Sequence, residues 1–221
     1  MLNGRIVMEL VFSQYLTELI AVISITILTI IAPGPDFVVV SRNSLVYSRR
    51  SGVFTGLGVA SAVWIHIFYT LAGIGVLLSQ SILAFSVVKY LGAAYLIYLG
   101  YSCLKSGGST IQLDAAKEQK RISDIKSFKM GFLNNTLNPK ATLFFVSLFT
   151  QLVSPSTPLS VQLLYGAIVS VLCLIWFSLL AMFLNKAAVK QRFLAAQATI
   201  EKLMGAILLG FGVKVAFATA N

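Results

Sequence analysis

Six apolar blocks constrain this chain more than any other feature. They cover roughly residues 15–40, 53–79, 82–104, 130–153, 159–184 and 203–220. A helix needs about 20 mostly apolar residues to cross a bilayer's hydrocarbon core. Each block is of helical length, and none shows the ten-residue alternation of a membrane β-barrel. Composition agrees: 57% of residues are hydrophobic and 11% are charged, against about 25% charged in a soluble domain. A soluble core of 221 residues could not hide that much apolar surface. The composition excludes an ordinary soluble domain, a disordered chain and a disulfide scaffold. It predicts an all-α, polytopic membrane protein with six spans.

The net charge of +10 would suggest nucleic acid in a soluble protein. Here the basic residues orient the chain instead. Arg42, Arg49 and Arg50 follow the first block, and Lys105, Lys117, Lys120, Arg121, Lys126 and Lys129 follow the third. Lys186, Lys190, Arg192 and Lys202 follow the fifth, so odd connections hold 13 of the 17 basic residues. Even connections hold one, Lys89. Cytoplasmic loops carry the excess of Lys and Arg. The odd connections are therefore expected in the cytoplasm and both termini outside. Block one does not read as a cleaved signal peptide, because Ala32 is followed by Pro33-Gly34-Pro35. Its long apolar region reads either as one span with an amphipathic extension or as a broken helix.

The two halves echo each other. Gly34-Pro35-Asp36 in block one corresponds to Asn138-Pro139-Lys140 in block four. Lys89-Tyr90-Leu91-Gly92-Ala93 with Leu96 corresponds to Lys202-Leu203-Met204-Gly205-Ala206 with Leu209. Three helices per half force the halves into opposite orientation, which predicts a 3+3 inverted repeat with helices 1 and 4 broken. The expected organisation is a single transporter domain. Its repeats run about 11–105 and 128–221, joined by a flexible polar loop of about 106–127.

Pro33, Pro35 and Pro139 must interrupt their helices, since proline removes a donor and clashes with the preceding turn. Asn138 suits an N-cap and Pro139 the first helical position; Gly34 and Pro35 would match them. Each break would start a half-helix whose positive end can hold an anion. Asp36 and Lys140 follow the two prolines, and a charge there costs about 2.5–3.5 kcal/mol on insertion scales. They are expected to flank one cavity suited to a zwitterion: Asp36 for an ammonium group or a proton, Lys140 for a carboxylate. The alternatives are an Asp36 that merely complements its helix dipole and a Lys140 that snorkels to the interface. Asn134 and Asn135 either line that cavity or satisfy carbonyls freed by the break. His66, the lone histidine, reads as a packing group or a proton relay. Glu18 is expected at a wetted outer boundary and Arg42 at the cytoplasmic edge. Gly52, Gly56 and Ala60, and Gly92, Leu96 and Gly100, read as close helix-packing faces.

Pro33-Gly34-Pro35-Asp36, Arg42-Asn43-Ser44 and Arg49-Arg50 with Gly52 resemble the start of the LysE/RhtB family of amino-acid exporters. So do Tyr90 to Gly100, Gly131-Phe132-Leu133-Asn134-Asn135 and Asn138-Pro139-Lys140-Ala141 with Phe144-Phe145. Pro35-Asp36 is most similar to the threonine/homoserine-type branch. The resemblance implies a permease of the bacterial inner membrane that expels small neutral amino acids, drawing on the proton-motive force. It is compatible with a homodimer. No cofactor, metal or nucleic acid is expected. A channel is the alternative. A membrane-embedded enzyme is disfavoured, because the chain has no HExxH, no GxSxG, no CxxC and one histidine.

Overall fold

The computed structural model describes residues 4–80, 82–105, 122–154 and 156–184, with shorter stretches up to residue 213. Block one is two helices, α1 (Gly4–Ile31) and α2 (Pro35–Val46). The broken-helix alternative is thus the one the chain adopts. Block two is α3 (Arg49–Gln80) and block three is α4 (Ile82–Lys105). Block four is again two helices, α5 (Asp124–Thr136) and α6 (Pro139–Gln151), and block five is α7 (Leu159–Phe183). In block six, residues 203, 205–210 and 213 are helical. The rest of that block, the loop from 106 to 121, and the surroundings of Lys89 and Gly92 lie outside the described residues. No strand occurs among the described residues.

Among the described residues, three helices are by themselves long and apolar enough to cross a bilayer: α1 over Ser13–Ile31, α3 over Arg49–Gly73, and α7. The halves of the broken blocks are shorter. At 12, 13 and 13 residues, α2, α5 and α6 reach only about 18–20 Å each, little over half the hydrocarbon thickness. A Ser123 cap starts α5 earlier than the apolar pattern suggests: its hydroxyl accepts from the Lys126 N–H at 3.3 Å.

The bundle centres on α3, which touches α2, α4, α5, α6 and α7. Small residues set how closely it is approached. A Cβ on Gly58 would strike the Phe128 backbone of α5, and one on Gly131 would strike the Thr55 carbonyl of α3. At the α7 crossing, Gly56 sits against Phe177 and Gly166 against Ile67. Gly52 of the same stripe packs on Ser44 and Ala181, and Ser44 Oγ donates to the Ala181 carbonyl at 2.6 Å. Gly100 lies against Gly205 and Leu209. Gly52, Gly56 and Gly100 serve packing, as their spacing predicted. The core joins Phe37 and Val40 of α2, Val59, Val63 and Ile67 of α3, and Phe144 and Leu148 of α6 to Val169 and Phe177 of α7.

At one end of the bundle, Arg50 grips Asp124 at the start of α5 in a two-pronged pair, with Nη2 2.7 Å from Oδ2. This pair is largely exposed. The Arg50 guanidinium, donating to the carboxylate, holds the Asp124 carboxyl below the ordinary carboxylate range. Beneath it, Ser51 Oγ and Ser127 Oγ share a hydrogen bond at 2.8 Å, and Asn43 Nδ2 donates to Thr55 Oγ1 at 2.9 Å.

Gly58→Ala and Gly131→Ala are each expected to destabilise the protein by about 1–3 kcal/mol, the usual cost of overpacking. Gly73→Ala, at a position with nothing within 4 Å of an added Cβ, should be neutral. Thermal unfolding of purified protein followed by size-exclusion chromatography checks the contrast.

Candidate functional site

Both breaks form as local chemistry requires. Gly34 caps α2 with extended backbone, and Pro35 takes the first helical position. Asn138 caps α6 in the same way, its Oδ1 accepting from the Lys140 N–H at 3.0 Å, with Pro139 next. Pro33 and Pro35 carry no N–H, so the first break leaves few donors to satisfy. In the second, the Asn138 N–H donates to the Asn135 carbonyl at 2.9 Å.

The two half-helices meet N-terminus to N-terminus, and each reaches the other's cap. Asp36 on α2 accepts from the Asn138 side chain at 3.1 Å. Lys140 on α6 reaches Gly34, where an added Cβ would sit 3.2 Å from Nζ. The backbone of Gly34 is one that any residue adopts, so the glycine is explained by this close approach. Asn134 Nδ2 donates to Asp36 Oδ1 at 2.8 Å, and Asn135 Nδ2 donates to Oδ2 at 3.0 Å. Three amides from the α5–α6 break therefore converge on one carboxylate. The asparagines hold the acid of the other half; they do not serve the freed carbonyls.

A central cavity of about 50 Å³, partly open, lies at this junction. Asp36, Lys140, Gly34, Asn135 and Asn138 line it, so the structure brings these sequence-selected residues together. Val59, Val63, Phe144, Val169, Cys173 and Phe177 form its apolar wall. That volume admits a few water-sized groups, less than an amino acid needs. Asn135 Oδ1 and Thr29 Oγ1 are buried at the cavity with no hydrogen-bond partner among the described residues. Asn134 instead faces a shallow groove of about 560 Å³ with Pro33, Pro35 and Arg42.

His66 is fully buried, but it does not line the cavity. Its Nε2 lies 3.0 Å from the Asn135 carbonyl and its Nδ1 lies 2.6 Å from the Tyr69 hydroxyl. A carbonyl only accepts, so Nε2 carries the proton and donates; Nδ1 then accepts from Tyr69. The ring also stacks on Phe145, with centroids 5.4 Å apart. This geometry makes His66 a brace for the turn that carries the asparagines. Arg42 and Arg49 are exposed, away from the cavity. Glu18 differs from expectation: it is 7% exposed and enclosed by donors rather than wetted. Thr29, Cys173 and the valines of α3 were not singled out from sequence. The spacing of Val59, Val63 and His66 on one helical face was the available signal.

Half-span helices meeting over a polar centre, inside a bundle of apolar helices, fit a helical membrane protein. Residues 27–219 match the family of LysE type translocators, and the chain belongs to that family. It is 33% identical over 205 residues to YrhP of Bacillus subtilis (strain 168), an uncharacterized membrane protein; the match covers 89% of this chain and 97% of that one. The membrane protein YahN of Escherichia coli (strain K12), also uncharacterized, is 28% identical, with 96% and 93% covered. The threonine efflux protein of the same strain is 25% identical over 195 residues, with 88% and 95% covered. No solved structure matches.

Asn138→Ala removes both the cap of α6 and a donor to Asp36. The cap alone is worth about 1 kcal/mol. Asn138→Ala is therefore expected to lower the unfolding midpoint in detergent more than Asn138→Ser, which keeps an uncharged capping oxygen while also losing the amide donor to Asp36. Equal midpoints would refute the capping role.

Proposed function

We propose that this chain is a secondary-active exporter that moves small neutral amino acids, threonine- or homoserine-like, out of the cytoplasm by alternating access. The observation that carries the reading is the head-to-head meeting of two broken helices. It sets one carboxylate and one ammonium group on the wall of one central cavity. Each helix N-terminus adds roughly half a positive charge. With Lys140 they favour a substrate carboxylate. A carboxylate offers about four acceptor sites; three donors occupy those of Asp36, leaving capacity for a substrate ammonium beside Asn135 Oδ1. The apolar wall suits a short side chain without charge. A cavity smaller than the substrate must widen, on one side at a time, for the substrate to pass.

Membership of a translocator family and similarity to threonine efflux proteins support amino-acid export and argue against an enzyme. The inverted repeat draws support from reciprocity: Asp36 meets the cap Asn138, and Lys140 meets the cap Gly34. It draws more from the α3–α7 crossing, where Gly56 faces Phe177 and Gly166 faces Ile67. The six-span topology, with both termini outside in a bacterial inner membrane, rests on the alternation of basic connections. Proton coupling follows if Asp36 exchanges its amide donors for a proton. A homodimer is compatible with this reading.

Vesicles carrying the purified protein, loaded with a panel of amino acids under an imposed pH gradient, test the proposal. Wild type should release small neutral amino acids selectively and against a gradient, which a channel cannot do. Asp36→Asn and Lys140→Met should each lower the rate at least about tenfold, the effect of losing about 1.4 kcal/mol at a charged contact. Gly34→Ala should fold normally and transport poorly, because the new methyl group displaces the Lys140 ammonium. Unimpaired efflux in both charge variants would sink the assignment.

A further inference from the structure

Besides the half-buried Asp36, a buried carboxylate lies at Glu18 on α1, 13 residues before the helix ends at Ile31. That places it about 20 Å along the helix from the break. It is 7% exposed. Its Oε1 accepts from Gln14 Nε2 at 3.1 Å, from the Ser154 N–H at 3.1 Å and from Thr157 Oγ1 at 3.0 Å. Its Oε2 lies 2.9 Å from the same hydroxyl and accepts from the Tyr165 hydroxyl at 3.3 Å. Tyr165 also donates to the Tyr15 carbonyl at 3.0 Å. Glu18 thereby ties α1 to the connection between α6 and α7 and to α7 itself. The ionisable groups facing it are Tyr15 and Tyr165, and no cation pairs with it among the described residues. A buried carboxylate without a counter-ion is costly unless donors fully surround it. Such a cluster is poor economy for mere anchoring.

The face of α1 that carries Glu18 leads inward. Glu18, Val22, Thr26 and Thr29 are all buried, and their spacing of four, four and three places them on one side of the helix. Thr29 lines the central cavity. The hydroxyls of Thr26 and Thr29 have no hydrogen-bond partner among the described residues. Two unpartnered hydroxyls, Thr29 at the cavity and Thr26 a turn closer to Glu18, thus lie on this buried face, with apolar Val22 between Thr26 and the carboxylate cluster.

We propose that Glu18 is the outer gate of the transport route. Its hydrogen bonds hold the α6–α7 connection against α1 and seal the Thr26–Thr29 line. When that connection lifts, water replaces Ser154, Thr157 and Tyr165 at the carboxylate, and the line opens the cavity to the outer face. Calling that face outer rests on the topology proposed above.

Cys173 supplies a built-in reporter, since it lines the cavity and is 5% exposed. In a Cys103→Ser background, a membrane-impermeant maleimide is applied to either face of oriented membrane vesicles, and modification of Cys173 is timed. Glu18→Gln and Thr157→Val should each speed modification from the outer face about tenfold, the shift in open population expected from one weakened charged hydrogen bond. Modification from the cytoplasmic face should be unchanged. No change in either variant, or equal acceleration from both faces, would overturn the gate. Acceleration confined to the cytoplasmic face would keep the latch but overturn the assigned orientation. The readout needs no substrate, so it stands or falls apart from the export assay. Thr157→Val keeps the carboxylate and tests the latch if Glu18→Gln fails to insert.

Discussion

Broken helices inside a bilayer need every freed backbone group satisfied within the protein, and this requirement organises the centre of the molecule. Proline at the first position of α2 and α6 removes a donor that would be orphaned, and Asn138 satisfies another. Pointing two helix N-termini at each other is still repulsive, because both ends are positive and Lys140 adds to them. Asp36 resolves the conflict. It accepts three amides from the opposing break and supplies the only negative charge lining the cavity among the described residues. His66 stiffens the same turn from behind through the Asn135 carbonyl.

What the sequence revealed follows the range of the interactions involved. The caps and breaks were legible because proline and asparagine act within a few residues of themselves. The likeness of Gly34-Pro35-Asp36 to Asn138-Pro139-Lys140 was legible because each break is written as a short local motif. The three amides on Asp36 were not legible, since they lie 98 to 102 positions away and the pattern Asn-Asn-x-x-Asn does not say what it donates to. Glu18 was misjudged for the same reason. An acid near the end of an apolar block usually meets water, and its partners here lie 136 to 147 residues further on. The start of α5 was missed because its cap sits in charged sequence that carries no apolar signal.

The two ends of the bundle are held by different kinds of contact. Between α3 and α5 the closure is steric. Gly58 and Gly131 let backbone lie directly on backbone, and separating them forfeits dispersion contacts that water does not restore. The exposed Arg50–Asp124 pair adds little to that seal, since its charges are already hydrated. At the other end the closure is polar. The bonds from Ser154, Thr157 and Tyr165 to Glu18 can be exchanged for bonds to water at modest net cost. A close-packed interface shifts as a unit, whereas a hydrogen-bonded one can part and rejoin. In the proposed gate the α3–α5 pair is the rigid body, and α1 against the α6–α7 connection is the seam. The cavity lies between them, bordered by Asp36 from α2 and Lys140 from α6. Under the proposed gate, parting at the seam changes access to the two charges while α3 and α5 stay packed together as one body.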